Sequence, residues 1–163
     1  MLCYKLEAFL LNHRAAEMLP DDLRHLHRFR LNDRVTLVPI TEQLCEEVVA
    51  TFGKYRAEDD PYEDTLFMRL HPALIRMAVK LSFVSAVFYI EVDAAGGFGD
   101  RTVIVWHQGE AVYGPCEGGN RSTEALDLFA RLEGMSLDQL TALNIFRHRF
   151  TEDWVRDVEG ESD

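Results

Sequence analysis

Apolar and polar side chains alternate along several short segments of the chain, which is the pattern of strands with one buried face. Residues 4–10 (YKLEAFL) follow this pattern, and a helix is the alternative there. From 24 to 40 the sequence predicts a hairpin whose turn is Asn32-Asp33, because both residues tolerate left-handed backbone conformations. A helix is also the alternative for its first arm, residues 24–31.

Three more strands are predicted between 84 and 114, where they form a meander. Apolar residues occupy every second position from 84 to 92, so this strand is expected to keep one solvated face. The glycine-rich stretch DAAGGFGDR (93–101) connects it to the next strand, and Gln108-Gly109 connects that strand to the last. The strands are expected at 84–92, 102–107 and 110–113.

The glycine-rich stretch is interpreted as a hairpin connection and not as a phosphate-binding loop. A dinucleotide fingerprint places Gly-x-Gly-x-x-Gly between a strand and a helix. Gly97 and Gly99 would need a third glycine where the chain has Thr102, and a strand is expected to follow instead of a helix. Glycine suits the connection because it adopts the positive φ that tight turns require.

Apolar residues spaced three and four apart, with capping residues before them, predict the helices. Thr41 is expected to cap one helix, and Pro72 to begin another. Ser136 and Gln139 have the spacing of a capping box. Further helices are expected to begin at Asn12, at Asn120 or Ser122, and at Thr151, with Trp154 docking the last one on the core.

These elements predict a single α+β domain over residues 1–163. Its antiparallel sheet has the meander at 84–114 in its centre, and its helices pack on one face. A chain of 163 residues is long enough to bury one core without disulfides or metals. Residues 159–163 are expected to be frayed.

The chain is strongly acidic, with 28 acidic and 17 basic residues and a net charge of −11 at pH 7. This charge disfavours nonspecific binding to nucleic acid or to an anionic membrane, because their phosphates would repel most of the surface. The apolar runs fall short of a membrane span, and the first residues lack the pattern of a secretory signal. Three cysteines without a CxxC pair are expected to be reduced, so the sequence predicts a cytoplasmic protein.

The most concentrated charge lies in a short acidic segment that also carries tyrosines. Two interpretations are open: a solvated loop, or a recognition surface on which carboxylates meet a basic partner and tyrosine supplies a rigid contact. The spacing of an EF-hand calcium loop is absent. The candidate partner-binding residues are Tyr55, Glu58, Asp59, Asp60, Tyr62, Glu63 and Asp64.

His25 and His27 are the candidates for metal chemistry, since side chains two apart on a strand project from one face. Such a site needs further ligands, and Arg24, Arg28 and Arg30 would raise the cost of placing a cation there. The alternative is an exposed Arg/His strand edge whose charge discourages aggregation. Neither a G-x-S-x-G nor an H-E-x-x-H motif is present, so no enzyme activity, cofactor or bound metal is predicted.

Four segments are distinctive together: CYKLEAF, LVPITEQL, YIEVDAAGGFGDRTVIVW and FRHRFTEDW. In this order, and over most of the chain, they resemble a group of small bacterial immunity proteins from polymorphic or contact-dependent toxin systems. The resemblance implies a cytoplasmic, often acidic protein that acts by occluding a toxin domain. The acidic segment at 58–64 and the Arg/His-rich stretch at 24–30 depart from that group, so the resemblance does not identify the partner-binding surface.

The charge, the missing catalytic motifs and the resemblance together predict a non-enzymatic binding protein. In this interpretation it is an immunity protein that neutralises a basic toxin domain through its acidic surface. A nuclease is the favoured partner, because its nucleic-acid groove attracts carboxylates. The alternatives are a small metal-dependent hydrolase using His25 and His27, and a regulatory or scaffolding protein.

Overall fold

A computed structural model describes residues 5–52, 67, 70–93, 100–141, 143, 151, 154 and 155. Its strands are β1 (Lys5–Asn12), β2 (Phe29–Arg30), β3 (Val35–Pro39), β4 (Val87–Asp93), β5 (Asp100–His107) and β6 (Glu110–Glu117). Its helices are α1 (His13–Glu17), α2 (Glu42–Phe52), α3 (Pro72–Leu81), α4 (Gly119–Leu132) and α5 (Leu137–Thr141).

The six strands form one antiparallel sheet in the order β2-β3-β1-β4-β5-β6. This confirms the α+β fold, the antiparallel sheet and the β4-β5-β6 meander, although β1 and β4 are the central strands and the meander occupies one half of the sheet. β4 begins at Val87 and not at 84. The reason is a turn after α3, in which the backbone N–H groups of Val84 and Ser85 both donate to the carbonyl of Leu81.

The first predicted strand is confirmed as β1, and the hairpin at 24–40 is present with a much shorter first arm. Only β2, two residues long, pairs with β3, and residues 24–28 are neither strand nor helix. Arg28 accounts for the difference: its Nε donates to the carbonyl of Ala16 at 2.7 Å and its Nη2 to that of Leu19 at 2.8 Å. These bonds hold the chain before β2 against the end of α1 instead of along β3.

Helices cover both faces of the sheet, so the prediction that they pack on one face is wrong. α4 and α5 pack on the face that carries Leu6 and Phe88, whereas α1, α2 and α3 pack on the face that carries Phe9 and Tyr89. The central strands β1 and β4 carry apolar side chains on both faces and are buried at nearly every position, so both faces need cover. The predicted solvated face of β4 is therefore buried, and Tyr89 in it is 0% exposed.

The predicted helix starts at Asn12, Thr41, Pro72 and Ser136 are confirmed. α4 instead begins at Gly119, before the predicted Asn120 or Ser122, and its N-cap Gly118 has no side chain to cap it. The side-chain oxygens of Asn12 and Thr41 each accept a backbone N–H from three residues further on, at 2.9 and 3.1 Å. Ser136 and Gln139 exchange the two hydrogen bonds of a capping box, at 2.8 and 3.3 Å. Pro72 is the first residue of α3, where its missing N–H costs no hydrogen bond.

The glycine-rich stretch connects two paired strands, as predicted for a hairpin connection. Asp93 at the end of β4 is opposite Asp100 at the start of β5. The residues between them, 94–99, lie outside the described residues. At the next turn, Gln108 and Gly109 have φ angles of 55° and 82°, the left-handed pair that two-residue hairpin turns favour.

Trp154, the second of the two tryptophans in the chain, docks on the core, as predicted. Trp154 packs into the core on the α4 and α5 side of the sheet, with its ring centroid 5.5 Å from that of Phe29. Cys45 and Cys116 are not joined to each other by a disulfide. Within the described ranges, no helix combines the length and apolarity needed to cross a membrane.

Candidate functional site

The predicted partner-binding segment comes directly after α2 in the chain, since α2 ends at Phe52. All of its candidate residues lie outside the part of the chain that the structure describes. Their role in binding therefore stays a prediction. They are Tyr55, Glu58, Asp59, Asp60, Tyr62, Glu63 and Asp64.

A second acidic feature, which the sequence does not reveal, lies beside α2. An open groove of about 430 Å³ runs between the turn at 21–25 and the helix. Three carboxylates and one guanidinium line it, together with an imidazole and an amide. We call it the acidic groove, and its lining residues are Asp22, Arg24, His25, Gln43, Glu46 and Glu47.

Glu47 fixes the shape of the acidic groove. Its carboxylate accepts the backbone N–H groups of Arg24 and His25, the latter at 3.0 Å. The same carboxylate lies 3.8 Å from Nε2 of His25. Because one side chain binds two successive amides, the turn is held against α2 and the groove is preorganised.

The other two carboxylates of the acidic groove are accessible to a partner. Asp22 and Glu46 are exposed, whereas Glu47 is half-buried. In an open, hydrated groove such charges attract a cation over distance but add little binding energy each. The arrangement is suited to receiving a lysine or arginine side chain of another molecule.

His25 and His27 do not form the predicted pair on a strand, because β2 begins only at Phe29. His25 lies in the turn and faces Glu47, while the ring of His27 is 6.5 Å from that of Phe29. Among the described residues, no group of three or more His, Cys, Asp or Glu side chains is arranged to hold a metal ion. The hydrolase alternative has no assembled site in this part of the chain.

The predicted Arg/His strand edge is reduced to Arg30, which is exposed on the edge strand β2, because Arg28 is bound by the protein itself and Arg24 lines the acidic groove. Arg28 binds carbonyls at the end of α1, and Arg30 lies 3.2 Å from a carboxylate of the same helix. Nη1 of Arg34 donates to the carbonyls of Glu133 and Gly134 after α4, at 3.2 and 3.0 Å. Arg28 and Arg34 thus place positive charge near the C-terminal ends of α1 and α4, where it complements the helix dipole.

Two buried carboxylates face each other across the central strands. Glu7 on β1 is directly opposite Glu91 on β4, and each is 7% exposed. The N–H of Glu7 donates to Oγ1 of Thr151 at 3.0 Å and its carbonyl accepts the N–H of Ile40 at 2.8 Å, so its backbone bonds point away from β4. Glu7 and Glu91 are thus a non-hydrogen-bonded pair, in which side chains approach most closely. Both residues make other interactions as well.

Tyr89 completes this buried cluster. Burial, followed by the charges of Glu91 and Glu7, raises the pKa of Tyr89 well above its usual value, so its hydroxyl stays protonated. The Glu91 carboxylate also raises this pKa through a weak hydrogen bond with the Tyr89 hydroxyl, one that falls short of ideal geometry. Alternation in β4 assigns Glu91 to a solvated face, so the sequence pattern misses the cluster. The signal that could have revealed the cluster is the position of Glu91, a charged residue between the apolar residues Ile90 and Val92 within a strand.

No protein-family model, curated protein or solved structure matches this chain. What the chain does is therefore argued from its own surfaces and side chains.

Proposed function

We propose that this protein is an immunity protein, a non-enzymatic cytoplasmic module that occludes a basic bacterial toxin domain. The observation that carries the proposal is the acidic groove, an accessible concave surface with three carboxylates against one guanidinium. A nuclease is the favoured partner, because a surface that binds nucleic-acid phosphates is positively charged. The resemblance of the four distinctive segments to immunity proteins supports the same class.

The distribution of charge along the chain supports a broad acidic contact. α2 carries Glu42 and Glu46 at exposed positions, and the acidic segment at 58–64 follows it in the chain. Attraction of this kind mainly accelerates encounter, whereas buried side chains set the lifetime of a complex. In this proposal the carboxylates supply the association rate, and Tyr55 and Tyr62 are the anchors.

The test begins with affinity purification of the partner from native cells, followed by recombinant production of the captured protein. Association and dissociation rates are then measured for the unmodified chain and for the double variant Asp22→Lys, Glu46→Lys. We expect the association rate to fall at least about tenfold, because the groove changes sign, while the dissociation rate changes less.

The matched control is Glu110→Lys, Glu117→Lys, which makes the same change in net charge on β6, at the far edge of the sheet. A much smaller effect of the control locates the contact at the groove. Equal slowing by both double variants would mean that only total charge matters. An unchanged rate in the groove variant would remove the groove from the proposal.

Stoichiometry distinguishes occlusion from catalysis. An occluding protein abolishes the activity of its partner at one molecule per partner and leaves both chains chemically unchanged. Inactivation at far lower ratios, with loss or modification of the partner, would instead make this chain an enzyme. Titration of toxin activity, with mass spectrometry of both chains, gives the answer.

A further inference from the structure

The turn that forms one wall of the acidic groove also covers an apolar part of the core. We call residues 19–26 the cover; they follow α1 and are neither helix nor strand. Leu19, Leu23 and Leu26 of the cover pack against the core on the α2 and α3 side of the sheet. The cover therefore has an apolar inner side, while Asp22 and other polar residues of the same segment face the groove.

Beneath the cover, the core is incompletely filled. A space of about 10 Å³, the room needed by one water-sized molecule, remains between the cover, the sheet, α2 and α3. Every residue that lines this space is apolar, and spaces of that kind stay dry and accept apolar guests. Leu26 and Met77 are half-buried, whereas the other lining residues are buried, so these two mark the side nearest to solvent.

The apolar space and the acidic groove share two walls. On α2, Glu47 lines the groove and its neighbour Val48 lines the apolar space. On the cover, His25 lines the groove and its neighbour Leu26 lines the space. A ligand that fits both places therefore joins an apolar group to a cation.

One carboxylate holds the middle of the cover in place. Glu47 accepts the backbone N–H groups of Arg24 and His25, the latter at 3.0 Å. In the described part of the chain, no other group outside the cover hydrogen-bonds to residues 22–26. A cation that attracts the Glu47 carboxylate therefore competes with the bonds that keep the cover closed.

We propose that the binding partner inserts an apolar side chain beneath the cover, while a cationic side chain next to it occupies the acidic groove. This inference rests on the proposed function, because it takes the partner to be a basic protein. The cation draws Glu47 from the two amides, the cover moves outward, and the apolar side chain enters between Leu26 and Met77. Its burial lengthens the lifetime of the complex, to which exposed carboxylates contribute little.

Three small molecules test the site on the isolated protein: n-hexylguanidinium, guanidinium and n-hexanol. NMR titration of the Leu26, Val48 and Met77 methyl groups and of the His25 amide measures binding. We expect n-hexylguanidinium to bind at least about tenfold more tightly than either other molecule, since each buried CH₂ group strengthens binding about fourfold before the cost of moving the cover. Equal binding of n-hexylguanidinium and guanidinium would overturn the insertion and leave the acidic groove as a contact. Equal binding of n-hexyl sulfate, the anionic control, would overturn the role of the cation.

Hydrogen exchange of the His25 amide tests its release from Glu47. Saturating n-hexylguanidinium is expected to speed this exchange at least about fivefold, because the amide loses its acceptor. The amide of Leu10, which is paired within β1, is the control and should not change. Unchanged or slower exchange at His25 would show that the cover stays closed and would overturn its release.

A substitution that fills the apolar space tests the insertion without changing any charge. Val48→Ile places one more methyl group there, so it is expected to weaken n-hexylguanidinium binding at least about fivefold and to leave guanidinium binding unchanged. Val105→Ile is the matched control, because Val105 is equally buried but packs on the other face of the sheet. Equal weakening by both substitutions would contradict a site beneath the cover.

The captured partner separates this inference from the proposed function. Val48→Ile should raise the dissociation rate of the complex at least about fivefold and leave the association rate unchanged, the reverse of the pattern expected for Asp22→Lys, Glu46→Lys. An unchanged dissociation rate in Val48→Ile, with slow association of the groove variant, would overturn the insertion and retain the proposed function. Binding that neither variant alters would overturn both.

Discussion

Single polar side chains join the ends of elements that are far apart in the chain, and Glu133 is the clearest case. Just after α4, its carboxylate accepts the N–H of Ala86 at 2.6 Å, the hydroxyl of Ser85 at 3.0 Å and the side-chain amide of Asn12 at 3.2 Å. One residue thus fastens α4 to the end of β1 and to the start of β4. Charge-assisted bonds to a half-buried carboxylate are among the stronger hydrogen bonds in proteins.

Replacing Glu133 should destabilise the protein in proportion to the bonds lost. We expect Glu133→Ala to lower the free energy of unfolding by about 3 kcal/mol and Glu133→Gln by about 1 kcal/mol, since glutamine keeps one acceptor. Urea unfolding followed by circular dichroism measures both. The exposed Glu110→Ala is the control and should stay within about 0.5 kcal/mol of the unmodified chain. A loss below that value for Glu133→Ala would exclude the joining role.

Tyr113 gives a residue-level prediction about pH. Its hydrogen bond to Oε2 of Glu124, at 2.5 Å, is the main cause that raises the pKa of Tyr113 from 10.0 to about 12. The folded protein favours the neutral phenol, so this contribution to stability is complete below pH 10 and is lost as the pH rises from 10 to about 12.

NMR titration of tyrosines labelled with carbon-13 at Cζ tests this assignment. Tyr113→Phe should remove the resonance that titrates near 12, and Glu124→Gln should move it toward 10. Asp127→Asn, on the same helix, is the control. A resonance unaffected by Glu124→Gln would mean that burial, and not the hydrogen bond, causes the shift.

At the scale of elements, periodicity identifies the segments but not their surroundings. The sequence predicts β1, the meander and the starts of α2, α3 and α5 because these depend on local alternation and capping. The sequence does not predict which faces of the sheet are buried, because the solvation of Glu91 depends on helices contributed by distant parts of the chain. The acidic groove is missed for the same reason: Glu47 is joined to the turn at His25, 22 residues earlier, by a contact that no local pattern encodes.

The β5-β6 turn is joined to the turn after α3, which yields an element-level prediction. Gly109 has a φ of 82°, and a Cβ atom built there would lie 2.4 Å from Cζ of Phe83. Ser82 ties the two turns together, since its carbonyl accepts the N–H of Gln108 and its hydroxyl that of Gly109, both at 2.9 Å. A side chain at 109 would therefore strain the backbone and displace the Phe83 ring.

We expect Gly109→Ala to lower the free energy of unfolding by about 2 kcal/mol, or the melting temperature by roughly 4–8 °C for a chain of this size. Adding Phe83→Ala should recover the part due to the clash. Phe83→Ala alone is the control, because the difference between the double variant and this single variant gives the cost of backbone strain at 109 without the ring. If that difference equals the full loss in Gly109→Ala, the ring yields without cost.

At the scale of the whole molecule, the same charge has opposite consequences for folding and for binding. A net charge of −11 repels itself in the compact state, and added salt screens that repulsion over a Debye length of about 10 Å at 0.1 M. Salt also screens attraction to a cationic partner. The isolated protein should therefore become more stable with salt while association slows.

Calorimetry of the isolated chain at pH 7 measures the first effect. We expect the melting temperature to rise by a few degrees, about 2–5 °C, when NaCl increases from roughly 0.02 to 0.5 M. A melting temperature that falls with salt would mean that attractive surface pairs outweigh self-repulsion.

A variant with four substitutions in the acidic segment tests the effects of charge on stability and on association together. It combines Asp59→Lys, Asp60→Lys, Glu63→Lys and Asp64→Lys. Each substitution changes the charge by two units, so the net charge moves from −11 to −3. The melting temperature of this variant should depend less on salt, because less self-repulsion is left to screen. Its association with the partner should be slower and less salt-dependent than that of the unmodified chain. Unchanged association would exclude these four residues from the contact and leave the acidic groove as the binding surface.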